Sequence, residues 1–379
     1  MSLASVFGLS VLLHLYLGLR LLPALAPLAA GLLAMLLLVS ALMTPLGLLA
    51  RRLARPPHAD RLAFAGLLFM GLFSSLLMFT LLRDALLLGA AGVTLVFPGR
   101  SGGSLAASSA TAVPLLALTA TLVGWINARR TAAVVRVDVP IAGLPAALEG
   151  FTIAQISDIH VGPTIKGPYL QDIVNAVNRL QPDLVAVTGD LVDGSLAELR
   201  PHVAPLAQLS SRFGSFFVTG NHEYYSGALA WIGELRRLGV QVLLDEHVVL
   251  ERGGAQLVLA GVTDFNARHF EPSHRSDPVA ALAGAPADAA VRVLLAHQPR
   301  SAASAEAAGF DLQLSGHTHG GQFLPWNLFV RLQQPYTAGL HRLGRLWVYV
   351  SRGTGYWGPP KRLGAPSEIT LLRLMPARA

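Results

Sequence analysis

The stretch FTIAQISDIH, residues 151–160, decides the fold. Phe151 to Ile156 is a short apolar run of the kind that forms a buried strand. Asp158 and His160 follow at once, two positions apart, just past the strand's end. Four further segments repeat the arrangement. Thr-Gly-Asp ends in Asp190, and Thr-Gly-Asn-His-Glu carries Asn221 and His222. Ala-His-Gln-Pro carries His297, and Ser-Gly-His-Thr-His-Gly-Gly-Gln carries His317 and His319. Each follows a strand-like run. Strand ends are rigid, and a metal site needs its ligands held to a fraction of an ångström.

Working outward, strands and helices alternate from about Val134 onward. Helical spacing covers Tyr169 to Leu180, Leu196 to Leu209 (despite Pro201 and Pro205) and Leu229 to Leu238. Strands are expected at Asp183 to Thr188 and Ser215 to Thr219. This alternation implies a mostly parallel sheet covered by helices. The second half is richer in strands: Val240 to Leu244, His247 to Leu250, Gln256 to Val262, Val291 to Leu295, Asp311 to Leu314, Leu346 to Val350 and Glu368 to Leu374. An alanine-rich helix is expected at Ala302 to Ala308. Two such sheets would pack face to face with helices outside. Asn266 to Ala289 is polar and rich in Pro and Ala, and reads as a surface insertion.

The first third is different. Of 379 residues 53% are hydrophobic and only 13% charged, against roughly 25% charged in a soluble domain. The deficit lies in four apolar runs, Leu3 to Leu19, Leu22 to Ala50, Leu62 to Leu82 and Thr111 to Asn127. About 20 apolar residues cross a bilayer. The first and last runs are near the lower limit, so the count is four spans, or three. Ala85 to Phe97 reads as an extension of the third helix or as an interfacial segment. The chain thus divides into a transmembrane helical region, 1–130, and a catalytic domain, 131–379. His14, inside the first run, is either functional or a neutral imidazole bonded to a neighbouring helix.

Charge places the termini. The net charge of +7 is mostly in the membrane region: before Ala128 there are seven Arg and two Asp, and afterwards twenty-two Lys/Arg and twenty Asp/Glu. A basic face for nucleic acid is therefore not expected. Arg51, Arg52, Arg55 and Arg61 follow the second run, and Arg129-Arg130 follow the fourth. Positive-inside bias puts both segments in the cytoplasm. The loop Pro98 to Ala110 has only Arg100 and suits the outer side. The expectation is a multi-pass protein of the cell (inner) membrane with a cytoplasmic catalytic domain. Cysteine is absent, which excludes disulfides and thiolate metal ligands.

The donor set decides the chemistry. Asp158, His160, Asp190, Asn221, His297, His317 and His319 offer oxygen or nitrogen ligands, enough for two divalent metals sharing one carboxylate. Asp190, after the turn residue Gly189, is placed to bridge. His317 and His319 alternate in a Gly-bounded loop, so one can serve each metal. Such ligands suit Mn, Fe, Zn, Ni or Co. Two ions roughly 3.5–4 Å apart form a clamp for in-line displacement at phosphorus, with a bridging hydroxide as nucleophile. His222 is left over for proton work.

These residues resemble the five-motif signature of the calcineurin-like metallophosphoesterase superfamily, with all five motifs intact. The resemblance covers roughly Phe151 to Leu374. It is similar in particular to the bacterial membrane-associated branch, through Gly-His-Thr-His-Gly-Gly-Gln and the later Val-Ser-Arg-Gly-Thr-Gly-Tyr-Trp-Gly. The resemblance implies an α/β fold, a four-layer αββα sandwich, here preceded by an all-α transmembrane region of about four helices. It implies that Asp158, His160 and His319 bind one metal, that Asn221, His297 and His317 bind the other, and that Asp190 bridges. His222 would donate a proton to the leaving oxygen or neutralise its developing charge.

Around this set, Glu223 and Gln298 are candidates to orient ligands, and Asp264 to orient a ligand or close a loop. Arg352, Lys361 and Arg362 are candidates for substrate phosphate or, equally, solvated charges. The apolar run Phe323 to Val330 is either core or a lip that dips into the headgroup region, joined there by Tyr356 to Pro360. The expected function is hydrolysis of a phosphate ester or pyrophosphate, in a lipid-linked substrate or other amphiphile. A soluble nucleotide or phosphodiester is the alternative substrate. A non-enzymatic sensor or transport protein with a phospho-ligand-binding domain is the alternative class.

Overall fold

The computed structural model describes residues 3–96 and 103–377. The expectation for Arg100 and its flanking loop lies outside the described residues up to Gly102. Contacts divide the chain into two compact units. One holds the residues up to Arg129 together with Gly358–Leu363, and the other holds Arg130–Trp357 and the chain from Gly364.

The first unit has four long helices: α1 (Leu3–Leu21), α2 (Pro27–Leu48), α3 (His58–Val96) and α4 (Gly103–Arg129). All four are long and apolar enough to cross a membrane. Helix α3 runs for 39 residues, about 58 Å at 1.5 Å per residue, against a hydrocarbon core of about 30 Å. Residues from Ala85 onward therefore continue the third helix. Helix α4 begins at Gly103, ahead of the Thr111 expected from hydropathy. Hydroxyls there bond back along the helix, Ser109 to the Leu105 carbonyl and Thr111 to that of Ala107. This lets a polar stretch stay helical.

Two polar clusters tie helices of the bundle together. His14 is buried, with Nδ1 at 2.8 Å from the Ser10 carbonyl and Nε2 at 2.8 Å from Ser40 Oγ of α2. The neutral, helix-bridging reading of His14 fits these bonds. Arg20 and Tyr16 on α1 both donate to Asp84 of α3. Helices α2 and α3 touch at Gly47 and Gly66, where a Cβ on Gly47 would lie 2.6 Å from Gly66 Cα. Small residues let membrane helices approach this closely.

The second unit is the αββα sandwich. Its strands are β1 (Ala133–Ile141), β2 (Thr152–Ile156), β3 (Leu184–Val187), β4 (Ser215–Phe217), β5 (Gln241–Val242), β6 (Glu246–Arg252), β7 (Ala255–Gly261), β8 (Val291–Leu295), β9 (Leu312–Ser315), β10 (Gly339–Leu343), β11 (Leu346–Val350) and β12 (Glu368–Pro376). One sheet has the order β1-β12-β2-β3-β4-β5, the other β10-β11-β9-β8-β7-β6. The central neighbours β2, β3 and β4 are parallel, as are β7, β8 and β9. Strand β12 lies antiparallel to β2.

Alternate residues build the layers. Ile153, Leu184, Ala186 and Phe216 from one sheet meet Leu257, Leu259, Val293, Leu295, Leu312 and Leu314 from the other in one buried core. Burying each such side chain stabilises by roughly 1.5–3 kcal/mol. The opposite face of the second sheet, including Ala260, Leu294 and Val348, packs on the alanine helix α9 (Ala302–Ala308). Helices α5 (Gly167–Arg179), α6 (Leu196–Val203), α7 (Asn221–Ser226) and α8 (Ala228–Arg237) follow β2, β3 and β4. The helix expected to reach Leu209 gives way to a 3-10 turn over Ala204–Gln208, where Pro205 cannot continue α-helical bonding.

The close helix crossing yields a test. Gly66→Val would force α2 and α3 apart and should cost about 1–3 kcal/mol of stability by overpacking. Thermal unfolding of the purified protein in detergent should show a lowered midpoint, whereas Gly31→Val, with open space around its Cβ position, should leave it unchanged.

Candidate metal centre

Five strand exits converge. The loops after β2, β3, β4, β8 and β9 supply Asp158 and His160, Asp190, Asn221 and His222, His297, and His317 and His319 respectively. All are carboxyl ends of parallel strands, where α/β sheets place their ligands. Gln155 Nε2 ties both sheets together beneath them, donating to Thr188 Oγ1 and to the Ser315 carbonyl, each at 2.9 Å.

The exits turn abruptly. Asp158, His160, Asp190, His317 and His319 have φ of 53°, 56°, 51°, 70° and 51°. For residues with a Cβ this left-handed region costs about 1–2 kcal/mol each, so the surroundings must hold it. They do so with backbone bonds: Asp158 N–H donates to the Gly189 carbonyl at 3.0 Å, and His160 N–H to that of Asp190 at 3.1 Å. His317 N–H donates to both Asp158 carboxylate oxygens, at 2.9 and 3.1 Å. Gly316 leaves room for that carboxylate, since a Cβ there would collide with Ser157 Oγ and Asp158 Oδ2.

Among the described residues the side chains form three groups that could hold a cation, of which His160, Asp193 and His222 are one and the other two consist of expected ligands. Asp158, His160 and His319 present ligand atoms within 4.8 Å of one another, and so do Asp190, His297 and His317. In the first, His160 Nε2 lies 3.0 Å from His319 Nε2, and His319 Nε2 lies 3.6 Å from Asp158 Oδ1. In the second, His297 Nε2 lies 3.2 Å from Asp190 Oδ2 and 3.2 Å from His317 Nδ1. His317 Nδ1 also lies 3.1 Å from Asn221 Oδ1. Asp190 Oδ2 reaches toward both groups, at 4.0 Å from His160 Nε2. The seven expected ligands are thus brought together.

Outer hydrogen bonds turn the rings. His297 Nδ1–H donates to the Thr188 carbonyl at 2.7 Å, which turns Nε2 toward Asp190 at 3.2 Å. Burial opposes its imidazolium, but Asp190 outweighs burial and holds His297 well above the ordinary imidazole range. His160 Nδ1–H donates to Asp193 Oδ1 at 3.1 Å, which leaves Nε2 facing His319. Outer partners of this kind orient metal-binding imidazoles. Burial and the neighbouring His297 push His317 down to about 3, so it stays neutral. Each group could hold a divalent cation, and the donors fit oxygen- and nitrogen-preferring metals.

His222 stands beside both groups. Its backbone N–H donates to Asp190 Oδ1 at 2.8 Å, and its ring Nδ1 donates to Asp193 Oδ1 at 2.6 Å. Tyr225 and Trp357 flank the ring, with centroids at 5.2 and 5.6 Å. Burial opposes the imidazolium, but the Asp193 hydrogen bond and the nearby carboxylates outweigh it and lift His222 to about 9. Burial likewise opposes ionisation of Asp193, yet His160 and His222 hold it well below the usual carboxylate range.

Asp193 is the site residue that the motif reading passed over. Its signal was present as the second acid of Gly-Asp-Leu-Val-Asp-Gly, and a single bridge between Val161 and Val192 carries it under His160. The other neighbours divide. Glu223 accepts from Gly220, Asp190, Leu191 and Val192 N–H groups. Gln298 donates to Asp264 at 2.9 Å, so this pair closes a loop. Arg352 pairs with Glu368 at 2.8 Å, and Lys361 Nζ donates to the Gly71 carbonyl and Ser75 Oγ inside the helical unit. The Gly-Thr-Gly-Tyr motif supports the site through its backbone: Gly355 N–H donates to the Asp158 carbonyl at 3.1 Å.

Glu223→Gln turns one acceptor oxygen into a donor that faces backbone N–H groups. We expect destabilisation of about 1–3 kcal/mol and weaker metal retention, read by thermal unfolding and by metal analysis after dialysis.

Residues 151–321 match the calcineurin-like phosphoesterase family. The transmembrane protein with metallophosphoesterase domain of Bos taurus is 42% identical over 296 residues, 74% of this chain and 66% of the relative. Its counterpart in Danio rerio is 39% identical over 290 residues, 73% and 66% respectively. The chain thus spans about two thirds of the length of these relatives. An uncharacterized metallophosphoesterase of Aquifex aeolicus is 34% identical over 234 residues, 61% of this chain and 87% of that protein. With its fold and its five converging strand exits, the chain belongs to the calcineurin-like metallophosphoesterase family.

Proposed function

We propose that the protein is a membrane-anchored phosphoesterase that uses two divalent metal ions to hydrolyse a phosphate ester or pyrophosphate bond. The observation that carries this reading is the meeting of two clusters of imidazole and carboxylate side chains at one shared carboxylate, Asp190, with His222 beside them. Asp158, His160 and His319 would hold one ion, and Asn221, His297 and His317 the other. When bound, the ions supply Lewis acidity toward a phosphoryl oxygen and lower the pKa of the attacking water.

The chain's own residues do the rest. Asp193 holds the His222 ring so that Nε2 is the nitrogen offered to substrate. As water adds to phosphorus and the bond to the leaving oxygen breaks, His222 gives that oxygen its proton. Solvent takes the proton released by water. The amphiphilic substrate class is supported by the membrane helices in the same chain and by the Tyr225 and Trp357 rings flanking His222. The arginines after α2 and at the end of α4 support a cell-membrane protein with its catalytic unit on the cytoplasmic side.

The test is hydrolysis by the full-length protein in detergent with added manganese. Substrates are p-nitrophenyl phosphate, bis-p-nitrophenyl phosphate and a pyrophosphate-linked sugar lipid, with Asp190→Ala as control. Loss of turnover and of bound metal in Asp190→Ala is expected; full turnover in that variant would overturn the reading. Preference for the sugar lipid supports the amphiphile, and preference for the diester supports a soluble substrate.

His222→Ala should keep both metals while losing roughly 10²–10⁴-fold in turnover. The acid form is the working form, so the rate on an alkyl phosphate should show a descending limb near pH 9. A p-nitrophenyl ester, whose leaving group needs no proton, should show little of that fall. Asp193→Asn removes the partner that raises His222, and the descending limb should move to lower pH.

A further inference from the structure

The segment Leu324–Leu332 is built as an apolar projection. Leu324, Trp326, Leu328, Phe329 and Leu332 are all exposed, the last at 82%. Only twelve large apolar side chains are exposed among the described residues of the catalytic unit, and these are five of them. A core segment would bury such residues, so they need another partner.

The projection is pinned at both ends. Phe323 is buried and bridges to Gly364, and Gly321 packs so tightly on Asn327 that no Cβ fits. Gln322 exchanges two bonds with the backbone of Trp357, each at 2.8 Å. On the exit side Arg300 donates to the Gln333 carbonyl at 2.8 Å, and Thr318 Oγ1 to that of Thr337 at 2.6 Å. His319 stands only four residues before Phe323. The exposed side chains are therefore held out on a fixed base joined directly to the metal-site loop.

Charge selects the partner. From Leu312 to Ser367 there is no Asp or Glu, but there are six Lys and Arg. Arg331, within the projection, is exposed, and so is Arg300 beside it. Trp, Phe and Leu accompanied by arginine is the composition of segments that lie in the interface of a bilayer with anionic lipids. A second copy of the chain would bring the same positive surface against itself. The helices of this chain already hold it at a membrane.

We propose that Leu324–Leu332 inserts into the headgroup region of the bilayer, with Trp326, Leu328, Phe329 and Leu332 toward the acyl boundary and Arg331 among anionic headgroups. The inference rests on the membrane-spanning helices and not on the reaction assigned above. A membrane-inserted edge beside the metal loop would admit a headgroup phosphate without removing the lipid from the bilayer.

The natural absence of cysteine makes the test direct. Leu328→Cys and Leu332→Cys in the full-length protein are labelled with an environment-sensitive fluorophore and reconstituted into vesicles of phosphatidylethanolamine and phosphatidylglycerol. Val279→Cys, exposed in the surface insertion, is the reference. The expected result is a blue shift at positions 328 and 332, with quenching by lipids carrying a nitroxide near the headgroup. Position 279 should be quenched by aqueous iodide instead. Iodide quenching at all three positions would overturn the proposal. So would a blue shift without lipid quenching together with disulfide-linked dimers of Leu328→Cys, which would assign the surface to a second copy. Agreement of two independent positions guards against one variant misfolding, and no outcome depends on hydrolytic activity.

Discussion

The site depends on one sealed carboxylate. Glu223 is fully buried, and its two oxygens accept N–H groups from Gly220, Asp190, Leu191 and Val192. Three donors belong to the β3 exit and one to the β4 exit, so a single side chain locks two loops together. Asp190 and His222 are positioned by those loops. Burial and the nearby Asp190 charge push Glu223 up to about 7. A divalent cation at Asp190 would offset part of that repulsion, so the clamp and the metal site stabilise each other. The protein would then be more stable with metal than without, by ordinary mass action.

The same logic explains the left-handed corners. Asp158, His160, Asp190, His317 and His319 are strained one by one, and no local preference would place them there. What holds them is the cross-bonding of neighbouring exits, together with missing Cβ atoms at Gly189 and Gly316. A Cβ on Gly189 would lie 2.6 Å from Gly220 N and 2.7 Å from His297 Nδ1. The glycines of the motifs thus serve density, bringing backbone to backbone so that seven candidate ligand side chains can share a small volume.

This division explains what was legible in the sequence. Central strands such as β3 and β8 are nearly all buried, so they read as apolar runs with clear ends. Strand β1 is an edge strand with Arg136 and Asp138 in its middle and a half-exposed pattern, and it finds its place only by pairing with β12. Strand β10, with His341 and Arg342, is an edge strand of the same kind. The convergence of the candidate ligand residues was legible because His, Asp and Asn follow apolar strands five times in this one chain. Asp193 was not, because an Asp before Gly in a loop is ordinary turn chemistry. Its role comes from a tertiary bridge between Val161 and Val192.

Chain connectivity adds a constraint of a different kind. The backbone leaves the helical unit at Arg129, returns to it at Gly358 and leaves again at Leu363. Within that unit Lys361 and Arg362 are buried, Arg362 N–H donates to the Gly124 carbonyl at 2.8 Å, and Asn127 Nδ2 donates to the Arg362 carbonyl at 3.2 Å. Gly124 has no side chain to spare, because a Cβ there would meet the Lys361 stem at 2.5 Å. A catalytic unit cut free after Arg129 would keep this cationic segment but lose the helices that bury it and satisfy its donors. Without the helices Lys361 Nζ loses the Gly71 carbonyl and Ser75 Oγ, while the Gly355 backbone, a few residues earlier, still has to support Asp158. The helices therefore complete the fold of a short segment that follows Val-Ser-Arg-Gly-Thr-Gly-Tyr-Trp-Gly directly in sequence.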